Sequence, residues 1–290
     1  MPDIFAILWA AAAAERRAEQ PAGQGQASTR RRTGVRRRVF GTTAIVTTVV
    51  LFALWWAISH AGLVPPLFLP SPEAVATQAI RVAADGYVDA TLAQHLLASL
   101  GRVFAALLAA VLTAVPAGLA IGLNPFARGI LEPPIEFYRP IPPLAYLPLV
   151  VIWFGIGEIS KVLLIYLAVF APVALATAAG VRSVDRERIN AARSLGASRG
   201  QVVRLVVLPG ALPEILTGIR IGLGVGWSTL VAAELVAATR GLGFMVQSAA
   251  QFLATDVVVL GILVIAAVAL VLDVLLRLIQ RACVPWQGHR

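Results

Sequence analysis

The chain has 290 residues, of which 59% are hydrophobic and 13% charged, with several apolar runs near the length of a bilayer span, so it is a polytopic membrane protein. The lone cysteine, Cys283, excludes an intramolecular disulfide, and with three widely separated histidines (His60, His95, His289) it offers no local metal cluster. A net charge of +9 could suggest nucleic acid, but Arg30, Arg31, Arg32, Arg36, Arg37 and Arg38 stand directly before the first span, where the positive-inside rule places them, so the excess reports topology and no nucleic acid partner is expected.

Residues 1–14, MPDIFAILWAAAAA, are apolar but wrongly flanked for a cleaved signal: Asp3 replaces a basic start and an arginine cluster follows. They read as a surface-seeking leader or a misassigned translation start. The whole of residues 1–38 reads as a disordered basic cytoplasmic tail. Apolar runs place spans at about 40–59, 99–123, 141–157, 161–180, 215–238 and 257–278, which makes an all-α protein with six transmembrane helices. Sorting the 24 lysines and arginines by this scheme puts eight in the tail, two at Arg128 and Arg139, six in the 181–214 loop and three at Arg277, Arg281 and Arg290, all on one side. Arg81, Arg102, Lys161 and Arg240 fall on the other side or its edge, and Arg220 lies within a span. That asymmetry predicts both termini in the cytoplasm. The chain then divides into the tail, a first span with a periplasmic segment (39–98), a core (99–280) and a cytoplasmic C-terminal tail (281–290).

Pro65, Pro66, Pro70 and Pro72 make an extended segment after the first span, and Ser71-Pro72 can cap a helix running to about Ala84, outside the membrane. In the third span Pro140, Pro142, Pro143 and Pro148 forbid a regular helix. The freed carbonyls need neighbours or a water-filled path, so this span is either a kinked pathway wall, with Pro143 a candidate for it, or an irregular packed helix.

The loop DRERINAARSLGASRGQVVRLVVLPGALP (185–213) is a polar hairpin between spans. Asp185 caps a helix whose apolar stripe is Ile189, Ala192 and Leu195 and which stops at Gly196. Ser198 and Gln201 form a capping box for a second helix, predicted to end before Pro209.

In the fifth span Gly218, Gly222, Gly224 and Gly226 predict close helix packing. Arg220, near the inner boundary, reads as snorkelling to the interface, with anion binding as the other reading. Ser228 is a further pathway candidate. Glu234, about 21 Å beyond Arg220 along a helix, is too far to pair with it and belongs near the outer mouth, as a gating or docking group or a solvated boundary residue. Asp273 can pair with Arg277 at i, i+4.

Several of these residues also carry a resemblance. Asn190-Ala191-Ala192, then Leu195-Gly196-Ala197, Val206 and Leu208-Pro209 are similar to the "EAA" loop of ABC importer permeases, with Asn for the usual Glu and Val for the usual Ile. The similarity extends over roughly 62–287. RPIPPLAYLPLVVIWFGIGE (139–158) and the long segment 208–249 resemble the nitrate/sulfonate/taurine branch of type I ABC importer permeases, and the run 226–243 is most similar to taurine permease subunits. The resemblance implies a MetI-like fold in the bacterial inner membrane and a homodimer among lipid, with the hairpin as coupling helix to a separate ATP-binding subunit and a substrate-binding protein outside. It also implies taurine as cargo, or else an alkanesulfonate, nitrate or another small organic anion. ATP and Mg would belong to the partner.

No Walker A loop can form around the one lysine, Lys161, and neither a G-x-S-x-G elbow nor an H-E-x-x-H pair occurs, so this chain is expected to have no cofactor and no catalysis of its own. The rival class is an ion-driven secondary transporter, whose marks are inverted repeats and intramembrane charge relays.

Overall fold

A computed structural model describes Thr43 and residues 45–285. The expected leader, the 1–38 tail and residues 286–290 of the C-terminal tail lie outside the described residues. The chain divides into two units, Met1–Val64 and Pro65–Arg290. The first contains helix α1, Ile45–His60, an apolar helix on which Trp56 and His60 stack with ring centroids 4.5 Å apart.

The second unit is helical throughout its regular structure, apart from an isolated bridge between Tyr87 and Ala90 among the described residues. It runs through α2 (Pro72–Ala84), α3 (Leu92–Leu123), α4 (Pro125–Tyr138), a 3-10 turn (Pro143–Ala145), α5 (Leu147–Phe154) and α6 (Glu158–Arg182). The hairpin helices α7 (Arg186–Ser194) and α8 (Arg199–Val202) follow, then a π turn (Val203–Val207), α9 (Leu208–Ala237), α10 (Leu242–Gln251) and α11 (Thr255–Cys283). Ser71 caps α2 as predicted, its Oγ accepting from the Ala74 N–H at 3.2 Å.

Among the described residues, four helical stretches are long and apolar enough to cross a membrane: α3, α6, the continuous run Arg199–Val236 and α11. The third predicted span is the irregular one. Its prolines leave a 3-10 turn and the eight-residue α5, which rises only about 12 Å against a hydrocarbon core of about 30 Å. Leu147 and Val150 of this broken segment pack with Leu164 of α6 and Ala233 of α9, so its irregular backbone is supported by protein on one side.

Helix α6 is the centre of the bundle, with α3 on one flank and α9 on the other. Lipid tails are as apolar as these side chains, so close van der Waals contact rather than the hydrophobic effect must hold the three together. Glycine permits that approach. A Cβ at Gly118 of α3 would stand 2.4 Å from the Ala174 carbonyl oxygen of α6. On α9 the predicted small-residue face is Gly218, Gly222 and Gly226, where added Cβ atoms would meet Ala176 at 2.5 Å, Val169 at 3.1 Å and Val169 again at 2.7 Å. Gly224 departs from the prediction: nothing lies within 4 Å of its absent side chain.

Candidate functional site

The hairpin sorts its residues into two faces. Asp185 caps α7 by accepting from the Glu187 N–H, and Ser198 and Gln201 form the reciprocal box that starts α8. Between them Gly196 takes φ +83°, its N–H bonded to the Arg193 carbonyl while the Ala197 N–H reaches the Ala192 carbonyl, a Schellman ending for which glycine is the least strained residue. Ile189, Ala192, Ala197 and Leu208 pack against a buried cluster of Val181, Val202, Val207, Ala211 and Ile215. Asn190, Ala191, Gly196 and Pro209 stay exposed, and Val206 is half-buried.

Two expectations need correction here. Leu195 does not join the packed stripe with Ile189 and Ala192; it is 89% exposed, because six residues past Ile189 it stands about 120° around the helix from it. Nor does the second helix stop before Pro209. The π turn carries the Leu208 N–H back to the Val203 carbonyl, and Pro209 falls in the first turn of α9, where its missing N–H has little to satisfy, so the helix continues.

At the other end of α9 a polar cluster lies inside the bundle. Arg102 of α3, 6% exposed, forks onto Glu158 with Nε–Oε2 at 2.6 Å and Nη2–Oε1 at 2.8 Å, and its Nη1 reaches Glu234 Oε1 at 2.5 Å and the Arg240 carbonyl at 2.7 Å. Lys161 Nζ donates to Glu158 Oε1 at 2.8 Å. Two carboxylates thus face two cations, a neutral set in which Arg102, Lys161 and Glu234 are buried and Glu158 reaches solvent.

Glu234 is wholly buried, so the reading of it as a solvated boundary residue is overturned. Besides Arg102 it accepts from Ser99 Oγ, at 2.8 and 2.9 Å, and from the Gly243 N–H at 2.9 Å. The turn Gly241-Leu242-Gly243 wraps this carboxylate. Gly241 has φ +138°, and a Cβ there would lie 2.4 Å from Glu234 Oε1. The Leu242 N–H donates to Ser99 Oγ, and the Gly241 N–H donates to His95 Nδ1 at 3.1 Å. His95 therefore carries its proton on Nε2, which is 2.9 Å from the Tyr87 carbonyl. Arg102 and Lys161, placed at the outer edge from sequence, are instead internal partners of these carboxylates. Sequence reasoning also missed His95 and Ser99, although 95, 99 and 102 share one helix face at i, i+4, i+7.

Farther along α9, Arg220 has a partner on α11. Its Nε binds Asp273 Oδ1 at 2.6 Å, while Arg277 Nε binds Asp273 Oδ2 at 2.8 Å, so Asp273 serves both arginines and not Arg277 alone. Helix α11 presents a carboxylate within reach, which a linear reading of α9 could not reveal. Arg220 and Ser228 line one cavity of about 200 Å³ with Gly224, Trp227 and Asp273. Of the remaining pathway candidates, Pro143 opens the 3-10 turn beside α5 and Glu234 belongs to the polar cluster, so the four do not form a single site.

A bundle of apolar helices centred on glycine contacts, with a polar hairpin pinned to one end and a neutral charge cluster at the other, defines a transport membrane subunit. The chain belongs to the family described as "Binding-protein-dependent transport system inner membrane component", which it matches over residues 110–285. It is 64% identical over 249 residues to the "Taurine transport system permease protein TauC" of Escherichia coli (strain K12), covering 86% of this chain and 90% of that protein. It is 34% identical to the "Bicarbonate transport system permease protein CmpB" of Synechococcus elongatus, covering 68% of this chain and 71% of that one. Its fold is similar to a chain of the inward-facing MetNI methionine ABC transporter, with a TM-score of 0.60 at 19% identity over 66% of this chain and 95% of the other. The all-α, MetI-like permease architecture is the one the resemblance implied.

Proposed function

We propose that this chain is the membrane-spanning subunit of an ATP-driven importer that carries taurine inward. The observation that carries the substrate is the 64% identity across nine-tenths of a taurine permease. In this reading two copies of the chain form the translocation unit among inner-membrane lipids, a soluble substrate-binding protein delivers cargo from outside, and two ATP-binding subunits hold ATP and Mg. The chain itself binds no cofactor and catalyses no reaction. Asn190, Ala191, Leu195, Gly196 and Pro209 form the face that meets the ATP-binding subunit, with Val206 at its edge, while Ala192, Ala197 and Leu208 keep that face attached to the bundle.

In proteoliposomes holding the assembled complex, taurine uptake is expected to require ATP and the binding protein, and the isolated chain is expected to hydrolyse no ATP. Uptake that follows an ion gradient without ATP would instead make it a secondary transporter; preference for an alkanesulfonate or nitrate would change the cargo and keep the class.

The same reading puts both termini in the cytoplasm, supported by the charge asymmetry. In a Cys283→Ser background, a cysteine at Gly288 is expected to react only with membrane-permeant reagent, and one at Gly157 with impermeant reagent from outside. Labelling of Gly288 from outside would reverse the topology.

A further inference from the structure

The cavity between α9 and α11 contains features that helix packing does not explain. Arg220, Gly224, Trp227 and Ser228 lie at i, i+4, i+7 and i+8, on one face of α9, and Asp273 of α11 completes the wall. The charges do not cancel. Arg220 and Arg277 share one carboxylate, Asp273, whose Oδ1 and Oδ2 are both engaged, so the group is left with a net positive charge. Arg220 uses only Nε on that carboxylate, and neither Nη group has an acceptor among the described residues.

The indole Nε1–H of Trp227 is a second donor without a partner. Among the described residues it is the buried side-chain polar atom left unsatisfied, on a residue only 6% exposed. With almost no accessible surface at Nε1, the indole belongs to the wall of the cavity and not to its contents. Ser228 supplies a further donor, since its Oγ donates to the Gly224 carbonyl across a long 3.3 Å and loses little by turning elsewhere. Gly224 leaves open space where a side chain would stand. At about 30 Å³ per water, a volume near 200 Å³ accepts a handful of small-molecule atoms and no bulky ligand.

We propose that this cavity is a subsite for the oxyanion end of the cargo, a sulfonate group held by Arg220 Nη and Ser228 Oγ–H against the Trp227 wall as it crosses the membrane. The excess positive charge matches the single negative charge of a sulfonate. The proposal rests on the importer reading above and adds that the permease itself recognises the anion, after the binding protein has released it.

The test titrates taurine into the permease–ATPase complex in nanodiscs without the binding protein, by calorimetry and tryptophan fluorescence. Saturable binding is expected for the wild type, weakened by about tenfold or more in Arg220→Gln, as loss of a charge-assisted anchor implies. Ser228→Ala is expected to weaken it several-fold. Gly224→Leu, which fills the space and leaves every charge in place, is expected to abolish it at normal expression and assembly. Absence of saturable binding in the wild type, or unchanged binding in Gly224→Leu and Arg220→Gln, overturns the subsite. Uptake assays separate the two readings: a wild-type complex that imports taurine but binds none without its binding protein defeats the subsite alone, whereas one that imports no sulfonate defeats the importer reading.

Discussion

Arg102→Ala is expected to lower the thermal midpoint of the detergent-solubilised protein by roughly 6–20 °C. Removing one partner of a buried ion pair costs about 3–5 kcal/mol, and each kcal/mol moves the midpoint of a domain this size by about 2–4 °C. The cost falls mainly on Glu234, which is wholly buried and would keep only Ser99 and the Gly243 N–H as partners. Glu158→Gln is the control. Glu158 is 62% exposed, so water can replace what it loses, and its effect is expected to be much smaller. Arg102→Leu combined with Glu234→Leu is expected to be milder than Arg102→Ala alone, because no uncompensated charge is left. Thermal scans of the four proteins, by a probe that reports loss of the monodisperse form, decide the matter. Equal midpoints for Arg102→Ala and Glu158→Gln would show that burial does not set the strength of this cluster.

Gly196→Asp is expected to leave insertion and dimerisation near normal and to abolish most transport-coupled ATP hydrolysis. The structure separates these two effects. A Cβ at Gly196 meets nothing within 4 Å, so the added atoms do not disturb the bundle. The backbone at φ +83° costs an L-residue about 1–2 kcal/mol, and aspartate tolerates that region better than most. What remains is a new negative charge beside the exposed Leu195, on the face proposed to meet the ATP-binding subunit. Copurification of that subunit and substrate-stimulated hydrolysis, at matched permease levels, are the readouts. Wild-type values for both would remove the hairpin from the coupling interface, and a loss of folded permease would make Gly196 a purely architectural residue.

The elements that were legible in the sequence are those governed by local chemistry. The Asp185 cap, the Ser198/Gln201 box, the turn at Gly196 and the Pro72–Ala84 helix each depend on residues within one or two turns. The broken third span follows from proline alone. Charge partners were the weak point, since they come from different helices: Arg102 finds Glu234 132 positions away, and Arg220 finds Asp273 53 positions away. Beginning the second span at 99, seven residues late, also made Arg102 look like a boundary residue, when it lies ten residues, about 15 Å, inside α3. The three-residue stripe His95, Ser99, Arg102 was the available clue that an apolar helix had a polar face to bury.

The π turn before Pro209 has a mechanical consequence. Because it lets the helix continue, the hairpin and the charge cluster are joined by one rod, Arg199–Val236, of 38 residues. Such a rod is about 57 Å long, so a tilt of about 5° at its hairpin end carries the opposite end through about 5 Å. Val202 packs the hairpin end of that rod against the bundle, and Glu234 holds its far end in the charge cluster. On the proposed coupling role, a push on the hairpin would act as leverage on α9, about its glycine bearing against α6.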